Sequence, residues 1–243
     1  MEARGAVVRI DISPLQLNKN LDATVGIVGD AAAVSAALLA LLPDEGMAAR
    51  DLTTERAASE AEMRDTAPEA VALAELIAAA LPDDAIVAGD SSQIVYMALG
   101  SVLRSQHPHS LLYTPTYATL GYGLPAAIGA RVAQTEHPVV TVIGDGALMF
   151  CVNELVTAVE QRLDVTIVCV DNGGYAEIRQ NEVDRGMTPI GVDLVQPDWA
   201  ALATAFGATG RRVDDRDDIV PSIRDAIAAG GVQLVHIPTQ RQD

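Results

Sequence analysis

Beyond residue 67 the chain alternates between short continuous apolar runs and longer stretches rich in alanine and leucine. "AIVAGDSS" (85–92), "PVVTVIGDG" (138–146), "DVTIVCVDN" (164–172), "TGRRV" (209–213) and "VQLVHIP" (232–238) read as strands, several of them ending in glycine, an acid or an amide; "SLLYTP" (110–115) reads as a strand or a loop. The stretches between them read as helices. These are "PEAVALAELIAAALP" (68–82), with proline near its start, "QIVYMALGSVL" (93–103), the glycine-punctuated "YATLGYGLPAAIGARVAQ" (117–134), "NELVTAVEQR" (153–162) with Asn153 as its expected cap, "PDWAALATAFG" (197–207) and "DDIVPSIRDAIAAG" (217–230). Apolar strands separated by helices predict an α/β fold, a doubly wound parallel sheet with helices on both faces. Ligands of such sheets lie beyond the carboxyl ends of the strands.

The N-terminal part has a different rhythm. "AVVRIDIS" (6–13) and "TVGIVGD" (24–30) read as strands, and Asp30 is placed to cap an Ala/Leu-rich helix that ends near Pro43. A strand–strand–helix piece buries too little apolar surface to fold alone, so residues 1–43 read as the C-terminal remnant of a second α/β domain. Residues 44–66 are charged, lack a clear period and have linker composition; 67–243 form the main domain. No internal repeat or low-complexity tract is visible.

Hydrophobic residues make up 49% of the chain but aromatics only 3%, which suits an α/β domain better than a β sandwich. A net charge of −17 argues against a nucleic-acid or anionic-membrane surface, because no basic patch exists to release counterions. The longest uncharged segment, "AAAVSAALLALLP" (31–43), is too short to span a bilayer, and the first residues show no signal-peptide core. Cys151 and Cys169 form no metal or redox spacing and sit in apolar runs, so both are expected to be reduced and buried. Together these features lead to a cytoplasmic expectation.

The chemistry concentrates at two strand ends. "GDGALM" (144–149) is not a dinucleotide fingerprint, since Met149 stands where the third small residue belongs, and no P-loop Lys-Ser or Lys-Thr follows. Gly144 and Gly146 flank Asp145 and let the backbone approach a bulky anion at a helix start. An aspartate there would repel a phosphate unless a hard divalent cation lay between them. Magnesium takes oxygen ligands, and Asn172 and the Gly174 carbonyl at the next strand end offer two more. Each turn alone is explained as a strand end; the pair on neighbouring β-α units is much harder to assign to chance.

"GDG" followed just under thirty residues later by an asparagine turn resembles the thiamine diphosphate signature. "TLGYGLPAAIGA" (119–130) is similar to the segment of that family that lies against the cofactor rings, and "VVRIDISPLQLNKN" with "VGIVGD" resembles the end of the central domain in acetolactate synthase-like enzymes. The resemblance covers nearly the whole chain. It implies that Asp145, Asn172 and the Gly174 carbonyl bind Mg2+, and that Gly144, Gly146 and Ala147 meet the diphosphate through the backbone. It further implies that Asp90, Ser91 and Ser92 line the same group, and that Leu120 props the bent cofactor. Ala118 would accept from the aminopyrimidine, with Thr119, Tyr175 and Ala176 also at the cofactor. Two positions depart from the pattern: Asp171-Asn172 replaces the usual Asn-Asn, and Ala118 replaces a usual glycine.

Such enzymes use three domains, and a glutamate of the pyrimidine-binding domain drives the proton relay. The expectation is therefore the cofactor-binding half of a 2-oxo acid decarboxylase or carboligase, completed in a homo- or hetero-oligomer by a pyrimidine-binding domain. FAD, by analogy with acetolactate synthase, is a lesser expectation, since most of the domain that would hold it is not found. "GDSSQ", "NGGYAEIRQ" and "GVDLVQPDWAALATAFG" most resemble 5-guanidino-2-oxopentanoate decarboxylase and its neighbours. Glu177 lies among the residues that line the substrate side in relatives, and a carboxylate can pair bidentately with a guanidinium. Its plain alternative is a solvated helix face beside Arg179. Gln93 and Tyr175 are further pocket candidates, whereas His107 and His109 read as loop residues and His137 and His236 as structural. The competing function class is a non-catalytic relative that holds cofactor or a partner subunit.

Overall fold

A computed structural model of the chain describes residues 5–43, 51–105 and 107–239. The chain divides into two compact units, one up to Leu52 and one from Thr53 onward. In the first unit, strands β1 (Val8–Asp11) and β2 (Val25–Val28) pair in parallel, with Val8 opposite Val25. The Arg9 guanidinium gathers the connecting loop by donating to the carbonyls of Gln16, Leu17 and Lys19 at 3.0, 3.0 and 2.7 Å. Asp30 caps helix α1 (Ala31–Leu41), accepting from the Ala33 N–H at 2.9 Å as its sequence position predicts. None of this unit's described residues is buried.

The second unit begins with helix α2 (Thr53–Thr66), which takes up most of the 44–66 segment of linker composition; residues 44–50 lie outside the described residues. The absence of an apolar period misleads here. Ala, Glu and Arg carry high intrinsic helix propensity, and ion pairs from Arg64 to Glu75 and from Arg104 to Glu60 tie the polar helix to its neighbours. Met63 packs against the core from it. Helix α3 (Pro68–Ala80) follows, then β3 (Ile86–Gly89). The helix expected over 93–103 is π-wound from Ile94 to Leu99 and ends in a single α turn, α4 (Gly100–Val102). Leu111–Leu112 forms the two-residue β4.

Next come α5 (Gly123–Ala133), β5 (Val139–Gly144), the one-turn α6 (Asp145–Leu148), α7 (Glu154–Glu160) and β6 (Val165–Asp171). Asn153 does not cap α7: it is already helical, and its amide donates to the Glu154 carboxylate at 3.0 Å instead. The chain finishes with α8 (Ala176–Asp184), α9 (Trp199–Ala205), β7 (Thr209–Arg212), α10 (Ile219–Ala229) and β8 (Val232–Pro238). No helix among the described residues is long and apolar enough to cross a membrane.

All six strands from β3 onward are parallel, in the order β4-β3-β5-β6-β8-β7. Alternate residues face opposite layers. Val140, Val142, Val168, Val170, Val235 and Ile237 pack under α3 and α10, whereas Val139, Ile143, Val165, Ile167, Cys169 and Leu234 meet α5, α7 and α9. Both sheet faces are thus covered, which is why these strands are apolar throughout. Cys151 and Cys169 are free and buried, as expected. From β3 the chain runs outward to β4 and then crosses back to β5, so the strand order reverses between β3 and β5. Such a switch point opens a crevice at the strands' carboxyl ends.

Close packing leaves one position of β7 intolerant of any side chain. A Cβ on Gly210 in β7 would lie 2.2 Å from the Ala200 carbonyl oxygen in α9. Gly210→Ala is expected to destabilise the unit by about 1–3 kcal/mol, as overpacking does; an unchanged thermal unfolding midpoint would contradict that packing.

Candidate functional site

The register of β5 against β6 pairs Gly144 with Val170, so the turns that follow the two strands meet. In the first turn Asp145 is almost wholly buried, 1% exposed. Its Oδ1 accepts from the Asn172 backbone N–H at 3.4 Å and its Oδ2 from Gln196 Nε2 at 2.6 Å. Burial, and then the negative charge of Asp171, push its carboxyl up to about 6, against the donors Asn172, Gly146 and Gln196. A Cβ on Gly146 would lie 2.7 Å from the Tyr175 ring, so the second glycine of the turn makes room for that tyrosine.

The second turn is shaped by its glycines. Gly173 and Gly174 have φ of 85° and 141°, and a Cβ on Gly174 would fall 2.1 Å from the Val192 carbonyl oxygen. That contact marks a strap over the turn: Tyr175 N–H donates to Val192 O at 2.8 Å and Leu194 N–H to Gly173 O at 3.1 Å. One heavy atom of the Asn172 amide lies 3.3 Å from Asp145 Oδ1 and 3.1 Å from Gly174 O, and the other lies 3.0 Å from Gln93 Oε1. With the amide oxygen inward, three oxygens converge without a proton between them, the arrangement a hard cation stabilises. With the NH2 inward, the amide donates to both oxygens instead. Among the described residues there is no cluster of three His, Cys, Asp or Glu side chains, so an amide and a carbonyl must supply what carboxylates supply elsewhere.

Asp171, which replaces the usual asparagine, is turned away from this cluster. Burial alone would raise its carboxyl, but the His236 Nε2 contact at 2.9 Å and the Gly173 N–H at 2.9 Å outweigh it and hold the group below the ordinary carboxylate value. His236 is therefore the structural residue its position suggested.

The turn after β3 separates the roles of its residues. Asp90 is fully buried and accepts from the N–H groups of Ser91, Gly121 and Gly123 at 2.8, 3.3 and 2.7 Å, bracing the 118–123 segment. Burial raises its carboxyl despite these donors. Its side chain is thus committed to bracing that segment. Ser92 Oγ accepts from Gly144 N–H at 2.8 Å, joining this turn to the Asp145 turn. Ser91 Oγ is buried without a partner. Ala118 adopts a left-handed φ of 54°, which explains why glycine would also suit the position. Ala118 and Thr119 are exposed, while Leu120 packs partly against the core.

A cleft of about 850 Å³ opens beside the paired turns. Asn172, Gly174, Tyr175, Ala176, Glu177 and Gln93 line its polar side, and Leu73, Ile94, Met97 and Ile237 its apolar wall. Glu177 is exposed and accepts from Gln93 Nε2 at 3.3 Å and Asn181 Nδ2 at 3.1 Å. Arg179 pairs with Asp193 at 3.5 Å. Gln196 escaped the sequence reading because a polar residue before a proline in a loop carries no periodic signal.

The residues present fit a diphosphate held through magnesium, on the converging oxygens, the unpartnered Ser91 hydroxyl and the glycine turns. Residues 91–237 match the family model for the C-terminal TPP-binding domain of thiamine pyrophosphate enzymes. The chain belongs to the thiamine pyrophosphate enzyme family. Among its relatives, the probable 2-ketoarginine decarboxylase AruI of Pseudomonas aeruginosa is 35% identical over 239 residues, covering 96% of this chain and 42% of the relative. The acetolactate synthase isozyme 2 large subunit of Escherichia coli is 29% identical over 246 residues, covering 96% and 43%. In fold, the chain is similar to the thiamine diphosphate-dependent 4-hydroxybenzoylformate decarboxylase of Rhodococcus jostii RHA1. That match has a TM-score of 0.76 and 23% identity, over 98% of this chain and 44% of that one. The chain thus spans less than half the length of these relatives.

In this member of the family, the Asp145 carboxyl holds its proton more tightly when folded than an exposed aspartate does. Without a cation the fold therefore loses stability as pH rises from 3.8 to about 6, whereas a cation that took this carboxylate as ligand would need the ionised form and would bind more tightly over the same window. Calorimetry should show Mg2+ affinity roughly tenfold weaker at about pH 5 than at about pH 7. A flat profile would remove Asp145 from the ligand set.

Proposed function

We propose that this chain is the cofactor-binding half of a thiamine diphosphate- and magnesium-dependent decarboxylase acting on a 2-oxo acid with a guanidino end. The observation that carries the reading is that Asn172 and Gly174, whose amide and carbonyl converge on Asp145, line one cleft with the exposed Glu177 carboxylate. Asp145 Oδ1, the Asn172 amide oxygen and the Gly174 carbonyl oxygen would hold Mg2+, which would carry the charge of the diphosphate. The N–H groups of Gly146 and Ala147 and the Ser91 hydroxyl take the remaining phosphate oxygens. When bound, thiamine diphosphate supplies the electron sink that lets carbon dioxide leave a 2-oxo acid. Glu177, steadied by Gln93 and Asn181, offers a bidentate acceptor to a guanidinium, and the apolar wall fits the methylene chain between the two ends. The name carried by the Pseudomonas aeruginosa relative agrees with that substrate class.

In this reading residues 1–43 are the end of a central domain and 67–243 the diphosphate domain. A pyrimidine-binding domain, in an oligomer, supplies the glutamate of the proton relay. Free, buried cysteines suit a reducing compartment, so the reading places the chain in the cytoplasm.

Titration of the chain with thiamine diphosphate should give binding that depends on Mg2+ and is lost in Asp145→Ala; equal binding without the metal or in the variant would sink the site. With a pyrimidine-binding domain present, Glu177→Gln should raise KM for a guanidino 2-oxo acid roughly ten- to hundredfold and leave an uncharged 2-oxo acid nearly unaffected. Equal losses on both substrates would remove the guanidinium role, and acetohydroxy acid as the product would make the enzyme a carboligase.

A further inference from the structure

We infer that Gln196 is the positioning residue that holds Asp145 in its cation-binding pose, an inference that rests on the reading of Asp145 as a magnesium ligand. The two carboxylate oxygens of Asp145 are not equivalent. Oδ2 is drawn back by the 2.6 Å hydrogen bond from Gln196 Nε2, whereas Oδ1 faces Asn172, whose amide lies 3.3 Å away. Only Oδ1 is then left to meet a cation.

The orientation of the Gln196 amide is decided by its other partner. The Trp199 indole N–H can only donate, and it donates to Gln196 Oε1 at 3.2 Å. The NH2 of Gln196 must therefore point the opposite way, toward a carboxylate that can only accept. Trp199 is fully buried at the start of α9, so the anchor itself is rigid. The backbone leading to Gln196 is pinned as well, because Val192 and Leu194 bond the turn that carries Gly174. One strap thus sets both the carbonyl at Gly174 and the partner of Asp145. Partners of this kind fix a metal ligand's direction, and losing one weakens metal binding about ten- to hundredfold.

The test uses Mn2+ in place of Mg2+, titrated with thiamine diphosphate into the 243-residue chain and followed by electron paramagnetic resonance. Gln196→Leu should weaken Mn2+ binding about tenfold or more and alter the line shape of the bound ion. Trp199→Phe, which keeps a buried ring and frees the Gln196 amide to rotate, should weaken binding by a smaller factor and serves if the leucine variant does not fold. Asp198→Ala is the structural control. It removes the cap of α9, a 3.0 Å bond to Ala201 N–H, and should lower the unfolding midpoint without changing Mn2+ affinity. Wild-type affinity in Gln196→Leu and Trp199→Phe overturns the inference and leaves the magnesium reading standing. So does an Asp198→Ala variant that loses as much affinity as Gln196→Leu. If Asp145→Ala binds Mn2+ no differently from the unaltered chain, the magnesium reading fails and the inference with it.

Discussion

A carboxylate buried at the end of a central strand is the constraint around which the second unit is arranged. Asp145 is withdrawn from water, feels the negative charge of Asp171 and has only neutral donors around it. Such a group costs stability unless a positive charge is brought to it. The neighbourhood supplies oxygens instead of a lysine or arginine: the amide of Asn172 and the carbonyl of Gly174. Oxygens gathered in this way are the donor set that a hard cation would take. The second acid is kept from competing, because Asp171 is spent on His236 and on the turn's own backbone.

The sheet makes the arrangement possible. Parallel pairing in fixed register brings the ends of β5 and β6 level, and the reversal of strand order between β3 and β5 leaves room above them. The Ser92–Gly144 bond and the three N–H groups on Asp90 then lock the β3 turn and the 118–123 segment to the same rim. Burial of the strands and placement of the site are therefore one problem with one solution, and Gly144 belongs to both.

Much of this was legible in order along the chain. Continuous apolar strands announced a covered parallel sheet, and the glycines around Asp145 and after Asn172 announced turns with a purpose. What periodicity could not carry was of three kinds. Helix α2 is held by propensity and ion pairs, neither of which leaves an apolar stripe. The bracing role of Asp90 could not be read locally, because its side chain accepts from N–H groups more than thirty positions away. Gln196 is visible only once the strap has folded over the turn, since nothing local distinguishes it from any loop glutamine.

The two-faced amide of Asn172 sets a direction that runs beyond the metal site. When its oxygen turns inward, its NH2 donates to Gln93 Oε1, and Gln93 in turn presents its own NH2 to Glu177. When the NH2 turns inward, the outward oxygen calls for the NH2 of Gln93, whose own oxygen is then left against the Glu177 carboxylate. The three side chains form a relay with two senses, set by which end of the Asn172 amide turns inward. A cation at the inner position would select the first of these senses, and so would set how the far end of the cleft presents the Glu177 carboxylate.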